Sequence, residues 1–425
     1  MVGSQGRLST MIPKIRQLQI HNYKSIGGAV VDLEPLTVLV GANGTGKSNF
    51  LDALSFIQES VSRSPGHAIA HHGKHRVAQL WQRGGPVGFR ILLDLAESIT
   101  ADYSFEIVWP AEDDWPPSSV RVSHERCSIR KAGALDIGFE VADGRFVQEI
   151  PGIRPRLSAD RLALFAASGI DEFRPLYDFL AAMKLYAIDP HSTGYSSNLD
   201  SEESLKPDGG NSAAILKLLE EQEPERYARL CRLLASAVEG VQSVSTQITE
   251  GVATLMFQQD IGRAEPGALY GWEMSEGTLR LLGLLLAVYQ PQRPSLVAIE
   301  EPEATVHPAV AELVLQVLMD AAQDLQVLIT THSPDILDAK ELDDRQIRVV
   351  TMEHGRTSIA PISRASRDAI REHLFTAGEL MRSDELSQDV QAAEESARSL
   401  NLFGEITVPS PMSSQHDHEE LRTRG

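Results

Sequence analysis

The chain is long and acidic, with 425 residues, 42% hydrophobic residues and a formal net charge of −20. A chain of this size can bury a large core, and we expect two lobes or subdomains. It has no apolar run near the ~20 residues that span a bilayer and no hydrophobic signal segment after Met1, so we expect no membrane partner and a cytoplasmic location. The two cysteines, Cys127 and Cys231, lie far apart, which argues against a disulfide.

A glycine-rich phosphate-binding loop is the first motif in chain order. Residues 41–48 have the P-loop pattern Gly-x-x-x-x-Gly-Lys-Ser. The apolar run Leu36–Val40 predicts a buried strand before it, and apolar residues at helical spacing within 49–58 predict a helix after it. Lys47 would reach the β- and γ-phosphates, and the Ser48 hydroxyl would ligate magnesium. The backbone N–H groups and the helix N-terminus favour phosphate binding. The predicted nucleotide-binding residues are Gly41, Asn43, Gly44, Thr45, Gly46, Lys47, Ser48 and Asn49.

A histidine cluster follows the P-loop helix, at His67, His71, His72 and His75. Its spacing could place two imidazoles on one helix face for a metal ion. Because Pro65 and Gly73 argue against a regular helix and no acidic partner is evident, we interpret the segment as a polar loop. We assign no metal here, and Mg²⁺ remains the only metal that we predict for the chain.

The middle of the chain predicts a compact inserted block. The strands Val87–Leu95 and Tyr103–Trp109 suit an antiparallel lobe that contains the P-loop, and Tyr195–Gly210 is expected to be a mobile loop. The block lacks sustained heptads, so we expect no long coiled-coil arm, and it lacks paired cysteines, so we expect no zinc hook. We interpret it as a lid or a partner-docking domain. The further elements expected here are strands near 119–130 and 136–148 and helices near 158–167, 171–182, 211–221 and 224–237.

A second capped helix is predicted to begin after Ser275. Residues 275–280 read Ser-Glu-Gly-Thr-Leu-Arg and open an apolar stretch. Ser275 is a suitable N-cap, and the N–H groups of the following turn suit an anion. A second anion cradle makes sense if it serves a nucleotide held by another copy of the chain. An ordinary capped core helix explains the same residues, so the motif alone leaves both interpretations open. Arg280 could stabilise this helix or approach phosphate.

Two later apolar runs predict buried strands that end in polar residues. Glu300 and Glu301 follow the first run, as in a Walker B strand, and ligands gather at the carboxyl ends of parallel strands. Glu300 would face the magnesium ion, and Glu301 would polarise the attacking water. His332 follows the second run and would contact the γ-phosphate or that water. The alternatives are a solvated acidic turn and an ordinary polar loop residue.

The order of these motifs resembles the ABC-type ATPase heads of the SMC and RecF-like group. The chain more closely resembles stand-alone bacterial AAA family ATPases related to the OLD-type proteins, over about residues 13–385. The closer resemblance rests on five motifs. They are Asn22-Tyr23-Lys24-Ser25, Asp208-Gly-Gly-Asn211, Ser-Glu-Gly-Thr-Leu-Arg (residues 275–280, the signature motif), Glu-Glu-Pro-Glu with His307-Pro308, and Thr-Thr-His-Ser-Pro.

The resemblance implies an α/β P-loop NTPase fold, an ABC-ATPase-like head with a mixed sheet, an antiparallel β lobe and an inserted α/β-to-helical subdomain. It also implies a homodimer that sandwiches two ATP molecules with Mg²⁺; higher assembly stays open. Lys24 lies where relatives often contact nucleotide. The glutamine that links the magnesium site to the lobe interface is not placed, with Gln58, Gln79 and Gln82 as candidates. Across the dimer, one subunit would contribute Lys47, Ser48, Glu300, Glu301 and His332, and its partner Ser275 and Gly277.

The expected biological role is a conformational switch for a separate effector protein. The residues after His332 are too few for the Toprim nuclease domain of OLD-type relatives, so we expect that the chain is not itself a nuclease. By resemblance, the effector would be a nuclease in anti-phage defence. The alternative is a RecF-like or SMC-like DNA clamp in repair. The charge of −20 does not indicate DNA binding, which depends on basic residues. Some basic residues could form a local patch, but we interpret them as an ordinary solvated face. They are Arg121, Arg126, Arg130, Lys131, Arg145, Arg154, Arg156 and Arg161.

These observations predict a division of the chain into six segments. The first and last are expected to be disordered. The segments are a leader (1–12), an N-terminal P-loop lobe (13–110), an inserted lid or partner-docking region (111–270), a C-terminal lobe with signature, Walker B and His332 (271–365), C-terminal helices (366–408) and a tail (409–425).

Overall fold

A computed structural model describes residues 11–73, 77, 85–109, 120–150, 157–158, 160–199, 203–262, 265–304, 308–339 and 341–404. The predicted tail lies outside these ranges, as do the first ten residues of the predicted leader. His75, Gln79, Gln82, His307 and the basic residues Arg154 and Arg156 also lie outside them. None of the helices in the described ranges combines the length and apolarity that a bilayer crossing requires.

Strands and helices are numbered in chain order over the described residues. The strands are β1 (Lys14–Tyr23), β2 (Ile26–Asp32), β3 (Leu36–Val40), β4 (Val87–Ala96), β5 (Ile99–Val108), β6 (Arg121–Lys131), β7 (Ile137–Ala142), β8 (Arg145–Gln148), β9 (Lys184–Tyr186), β10 (Ser197–Asn198), β11 (Val241–Thr249), β12 (Val252–Gln259), β13 (Gly267–Tyr270), β14 (Leu296–Glu300), β15 (Gln326–Thr331), β16 (Ile347–Glu353) and β17 (Arg356–Pro361). The helices are α1 (Lys47–Ser62), α2 (Pro65–His72), α3 (Ala163–Ala167), α4 (Arg174–Ala181), α5 (Pro190–Gly194), α6 (Ser212–Gln222), α7 (Pro224–Ala237), α8 (Glu276–Tyr289), α9 (Pro308–Ala321), α10 (Pro334–Leu337), α11 (Arg364–Arg371), α12 (Ala377–Arg382) and α13 (Val390–Ser399).

The central sheet is mixed and places the predicted motifs at one edge. Its order is β17-β16-β3-β15-β14-β9, and β3, β9, β14, β15 and β16 run parallel, with β17 antiparallel at the edge. All five residues of β3 are buried, as expected for a strand covered on both faces. Because β3, β14 and β15 are neighbours and parallel, the residues that follow their carboxyl ends meet. This arrangement brings the P-loop, Glu300 and Thr331 together.

An antiparallel sheet covers one side of α1. Its order is β2-β1-β4-β5-β6-β7-β8, and one apolar core joins it to α1 and to one face of the central sheet. Tyr23, Phe56 and Phe89 make aromatic contacts in this core, with ring centroids 5.3–5.6 Å apart. The predicted boundary at residue 110 falls within this sheet, because β5 pairs with β6 from Ile99 to Val108. The division into domains stays a prediction.

The opposite face of the central sheet packs against a second core. This core contains the buried side of α8 with α6, α7 and the small sheet β10-β12-β11, to which β13 is added. The predicted strand near 136–148 is a hairpin of β7 and β8, since Asp143 and Gly144 adopt positive φ at the turn. The predicted helix near 158–167 forms only as α3.

The histidine segment forms a helix, so the expectation of a polar loop is wrong. Ser64 caps α2 by accepting from the backbone N–H of His67, and Pro65 occupies the first turn, where its missing N–H costs nothing. Gly73 ends the helix with φ 85°. Two residues read as helix breakers therefore act as its start and its end.

The segment 401–404 packs on the antiparallel sheet. Arg90 donates to the Asn401 carbonyl at 2.6 Å, and the His124 ring stacks on Phe403 with centroids 3.7 Å apart. Arg126 donates to the carbonyls of Phe403 and Gly404. Taken together, the architecture confirms the predicted α/β P-loop NTPase fold with an ABC-type head.

Candidate functional site

The P-loop turns tightly between β3 and α1. Gly44 and Gly46 adopt φ of 80° and 102°, and Gly46 directly precedes the first residue of α1. A Cβ on Gly46 would lie 2.0 Å from the Thr357 hydroxyl oxygen, and one on Gly41 would lie 2.2 Å from the Val350 carbonyl oxygen. Gly44 and Gly46 are therefore required for backbone conformation, and Gly41 and Gly46 for the close approach of β16 and β17.

Lys47 is the buried cation of this loop, with 5% of its surface exposed. Its ammonium donates to the carbonyl oxygens of Gly41 at 2.7 Å and Ala42 at 2.9 Å. Burial lowers the pKa of Lys47, and the negative charges of three nearby glutamates oppose this shift. Among the described residues, this ammonium donates to neutral carbonyls, and a buried cation with such partners is well placed to bind an anion. The three glutamates are Glu300, Glu301 and Glu303.

A hydroxyl and amide network fixes the P-loop from behind. The Thr357 hydroxyl donates to the Thr45 carbonyl at 2.8 Å and lies 2.7 Å from the Ser25 hydroxyl. The Asn49 amide donates to the same Ser25 hydroxyl at 2.6 Å. Asn49 thus stabilises the loop through Ser25. Asn43, in contrast, is exposed.

The Walker B carboxylate Glu300 lies beside the P-loop serine. Burial raises the pKa of the Glu300 carboxyl, and the nearby Ser48 hydroxyl opposes this shift. The charges of Glu301 and Asp52 also raise it. A hydroxyl and a half-buried carboxylate in a surplus of negative charge form an oxygen donor set of the kind that Mg²⁺ prefers. Ser48 and Glu300 therefore fit the predicted magnesium ligands.

Glu301 and His332 form a pair at the edge of the sheet. His332 Nδ1 lies 2.9 Å from Glu301 Oε1, and the two side chains are 43% and 34% exposed. Glu301 has φ 43°, a conformation that few non-glycine residues adopt, and its N–H donates to the Thr330 carbonyl. This turn directs Glu301 away from the course of β14. A carboxylate next to an imidazole can hold and transfer a proton from water.

A third carboxylate, Glu303, lies behind this pair. Its side chain accepts a hydrogen bond from the Thr331 hydroxyl, and 9% of its surface is exposed. Its Oε2 is buried with no hydrogen-bond partner among the described residues, and burial raises the pKa of the carboxyl. The sequence indicated Glu303 only as part of the motif Glu-Glu-Pro-Glu. It is suited to orienting Thr331 and the segment that contains His332.

Arg280 connects the signature helix α8 with the Walker B strand. Its guanidinium donates to the carbonyl oxygens of Glu301 at 3.0 Å, Glu300 at 3.3 Å and Ile188 at 3.0 Å. Burial lowers the pKa of Arg280, while the carboxylates around it raise it. The sequence left open whether Arg280 stabilises its helix or approaches phosphate, and the structure shows that it donates to the main chain next to the catalytic candidates. No local sequence pattern signals this contact.

The beginning of α8 is exposed. Ser275 caps the helix by accepting from the Thr278 N–H at 3.2 Å, while Gly277 lies half-buried in the first turn. Directly before it, the rings of Tyr270 and Trp272 stack with centroids 4.6 Å apart, and Trp272 is 53% exposed. This surface offers free N–H groups and an aromatic face to solvent.

Two predicted or candidate nucleotide contacts have other partners. The Lys24 ammonium lies 2.5 Å from an Asp52 carboxylate oxygen on α1. The Gln58 amide donates to Ser62 and to the Ala181 carbonyl, which gives it no contact with Ser48 or Glu300.

The basic residues proposed as a local patch are partly engaged within the chain. Arg126 bonds the carbonyls of 403 and 404 and lies 3.5 Å from Asp102, and Arg130 lies 3.4 Å from Asp136. Arg161 lies over the Phe165 ring. These contacts fit the interpretation of an ordinary solvated face.

Two family models match the chain on the two sides of this site. Residues 14–107, which contain the P-loop, match the family described as "AAA ATPase domain". Residues 188–338 match the family described as "AAA domain, putative AbiEii toxin, Type IV TA system". The second match contains Ser275, Arg280, Glu300, Glu301 and His332, so both halves of the site fall within ATPase families.

One curated relative and three solved structures are similar to the chain. The phosphonates import ATP-binding protein PhnC 1 of Ruegeria sp. (strain TM1040) is 32% identical over 84 residues, which is 20% of this chain and 31% of that protein. The chain thus spans about a third of that relative's length. An SMC head bound to the C-winged helix domain of ScpA is 13% identical, with TM-score 0.43, covering 83% of this chain and 99% of that one.

Two further SMC heads give similar values. The SMC head domain from Thermotoga maritima is 13% identical, with TM-score 0.38 and coverage of 82% and 99%. The SMC head with an extended coiled coil, bound to the C-terminal domain of ScpA and derived from Pyrococcus furiosus, is 14% identical, with TM-score 0.45 and coverage of 85% and 100%. The family matches confirm the predicted resemblance: residues 14–107 and 188–338 of the chain are similar to AAA-type ATPase domains.

Proposed function

We propose that this protein binds and hydrolyses ATP with Mg²⁺, closes as a homodimer around ATP, and thereby switches a separate effector protein. The observation that carries the proposal is the contact of Arg280 with the carbonyls of Glu300 and Glu301. Through this contact, a displacement of the exposed start of α8 would shift the main chain at the proposed catalytic carboxylates. A nucleotide bound by one subunit can therefore be sensed where a second subunit docks.

The hydrolytic step rests on Glu301 and His332. Glu301 accepts a proton from the attacking water, and His332 orients the carboxylate through the 2.9 Å contact. Lys47 binds phosphate oxygens in place of the loop carbonyls of Gly41 and Ala42. Ser48 and Glu300 would hold Mg²⁺, which would supply positive charge opposite the phosphate oxygens.

The proposed dimer uses the exposed start of α8. Ser275 and Gly277 present N–H groups of a helix N-terminus, which suit the phosphates of a nucleotide held by a second copy. The stacked Tyr270 and Trp272 lie next to them, and exposed aromatic residues are enriched at protein interfaces. A second copy of this chain is the partner that fits both features.

A mixing experiment tests whether Ser275 acts in trans. The Lys47→Ala variant lacks nucleotide binding but keeps its signature, and the Ser275→Arg variant keeps its P-loop but blocks its signature. Each alone should hydrolyse ATP only at background. A mixed dimer contains one intact composite site, so mixing should restore measurable turnover.

The matched control is a mixture of Lys47→Ala with the Lys47→Ala/Ser275→Arg double variant, which cannot form an intact site. Binding of a fluorescent ATP analogue by Ser275→Arg confirms that its P-loop is intact. If Ser275→Arg alone turns over ATP normally, or if the mixture gains nothing over the control, then the sandwich is refuted.

For the effector, we infer a nuclease in a bacterial anti-phage system. The description of the family matched by residues 188–338 names a toxin and a toxin–antitoxin system, which supports a role with a partner. A nuclease that co-purifies with the protein from its native host, and whose activity changes with ATP, is the expected result. The Lys47→Ala variant should lose this response. Tight duplex DNA binding by the protein alone would instead support the clamp.

A further inference from the structure

A cluster of metal-ligating side chains lies on the P-loop helix, away from the nucleotide site. The carboxylate of Glu59, on α1, faces His71 and His72 at the end of α2. His71 Nδ1 lies 2.6 Å from Glu59 Oε1, and His72 Nε2 lies 3.7 Å from Glu59 Oε2. One ligand atom of each residue falls within 4.8 Å of the others.

The hydrogen bonding of His72 fixes the direction in which its second nitrogen points. His72 Nδ1 lies 2.9 Å from a carboxylate oxygen of Asp52, and an ionised carboxylate only accepts, so this nitrogen is the donor. Nε2 is thereby directed at Glu59. A carboxylate that orients the far nitrogen is the usual second partner of a histidine that binds a metal.

Two buried atoms in this cluster have no hydrogen-bond partner among the residues that the structure describes. They are His72 Nε2 and Glu59 Oε2, and the His72 side chain is 5% exposed. Leaving a nitrogen lone pair and a carboxylate oxygen face to face costs free energy, and either a proton on the imidazole or a metal ion between the two atoms removes this cost. The distance of 3.7 Å is too long for a hydrogen bond, but it suits two ligands each about 2.0–2.1 Å from one zinc ion.

We propose that Glu59, His71 and His72 bind a divalent transition metal ion of the zinc class, with Asp52 positioning His72. Two imidazoles and one carboxylate are a donor set that zinc accepts, whereas magnesium prefers oxygen alone. His71 is exposed at the mouth of a cavity of about 840 Å³. Glu59, His71 and His72 all line this cavity, so water could reach a metal ion bound by them.

The site joins α2 to the helix that carries the P-loop. The Asp52 carboxylate also pairs with the Lys24 ammonium and accepts a hydrogen bond from the Tyr23 hydroxyl. One carboxylate therefore contacts both the histidine cluster and the side chains at the turn between β1 and β2. A bound metal would hold α2 against α1 through Glu59. This proposal is independent of the proposed function, because it needs neither ATP nor a dimer.

Zinc binding by the full-length protein tests the proposal. The purified protein, without nucleotide and with excess magnesium to saturate the oxygen site, is titrated with zinc in competition with a chromophoric chelator. Cobalt gives a second readout, because its visible absorption reports coordination by nitrogen and oxygen. We expect one zinc ion per chain. His72→Gln and Glu59→Gln should each bind zinc at least about tenfold more weakly, since about tenfold is already lost when a residue that only orients a metal ligand is replaced.

Three further variants keep the result interpretable. His71→Ala changes an exposed side chain, so it should fold normally and still bind zinc more weakly. His124→Ala and Glu301→Gln each remove one partner of another histidine–carboxylate pair, at 2.7 Å and 2.9 Å, and should bind zinc like the unaltered protein. The proposal is overturned if the unaltered protein binds no more zinc than His72→Gln, or if Glu301→Gln abolishes the binding.

Discussion

Replacing Arg280 with methionine should uncouple the signature helix from the Walker B strand. Methionine keeps much of the side-chain volume but removes every donor. The two contacts at 3.0 Å, to Ile188 and Glu301, are hydrogen bonds from a charged group. At about 1.5 kcal/mol each, their loss should lower the free energy of unfolding by about 3 kcal/mol, with the longer contact to Glu300 left uncounted.

Turnover should fall further than stability alone explains. Without Arg280, the main chain at Glu301 keeps its hydrogen bonds with Thr330 and Ala304 but loses its connection to α8, so the position of the carboxylate is less fixed. We expect kcat for ATP to fall at least about tenfold with KM little changed, since the P-loop is untouched. Arg280→Lys should recover the charge but not the fork of donors, and so only part of the activity.

The assays are denaturant unfolding and steady-state ATP hydrolysis on the same samples. Arg293→Met is the matched control, because Arg293 makes an exposed ion pair with Asp324 at 3.4 Å, a class worth little. That variant should lose less than about 1 kcal/mol and keep its kcat. If Arg280→Met retains both the unfolding free energy and the kcat of the unaltered protein, the proposed coupling is wrong.

The remaining predictions concern the nucleotide site and one buried carboxyl. Lys47→Ala should abolish ATP binding measured by calorimetry, and tight binding would remove the P-loop assignment. Glu301→Gln should bind ATP but hydrolyse it roughly 100-fold more slowly, the scale for losing a general base, and near-normal turnover would move that role elsewhere. Burial raises the pKa of Glu125 from 4.5 to about 7, although the N–H groups of Ala163 and Leu164 donate to it. Because the folded pKa is raised, the stability that the protonated carboxyl contributes is present below about pH 4.5 and lost as the pH rises through about 7. The difference in unfolding free energy between the unaltered protein and Glu125→Gln should therefore shrink or reverse by up to about 3 kcal/mol from pH 5 to pH 8, and a constant difference would contradict the assignment.

The parts of the fold that sequence predicts well are those with local causes. The P-loop, the strand Leu36–Val40 and the helix capped by Ser275 follow from fixed spacing, continuous burial and a cap. The meeting of Glu300 and Thr331 at one edge also follows, because parallel strands align their carboxyl ends.

The contacts that sequence reasoning missed join distant residues. Thr357 lies 312 positions from the Thr45 carbonyl to which it donates, and Arg280 lies 92 positions from Ile188. No periodicity encodes such pairs, since they depend on which strands become neighbours. Arg280 was therefore visible only as a residue with two open roles.

The histidine helix was missed although the sequence contains its signal. Ser64 before Pro65 is a common helix start, and Gly73 is a common helix end. Its acidic partners, Asp52 and Glu59, lie seven positions apart, which places both on one face of the preceding helix. Reading the two helices as a pair would have brought the carboxylates to the histidines.

The central claim is that ATP closes two copies of this chain around a shared site. The most direct test is the mass of Glu301→Gln in solution by light scattering, with and without ATP and magnesium. The account predicts that the mass doubles from monomer to dimer when ATP is added, and that Ser275→Arg in the same background prevents the doubling. A protein that stays monomeric with ATP bound would contradict the account.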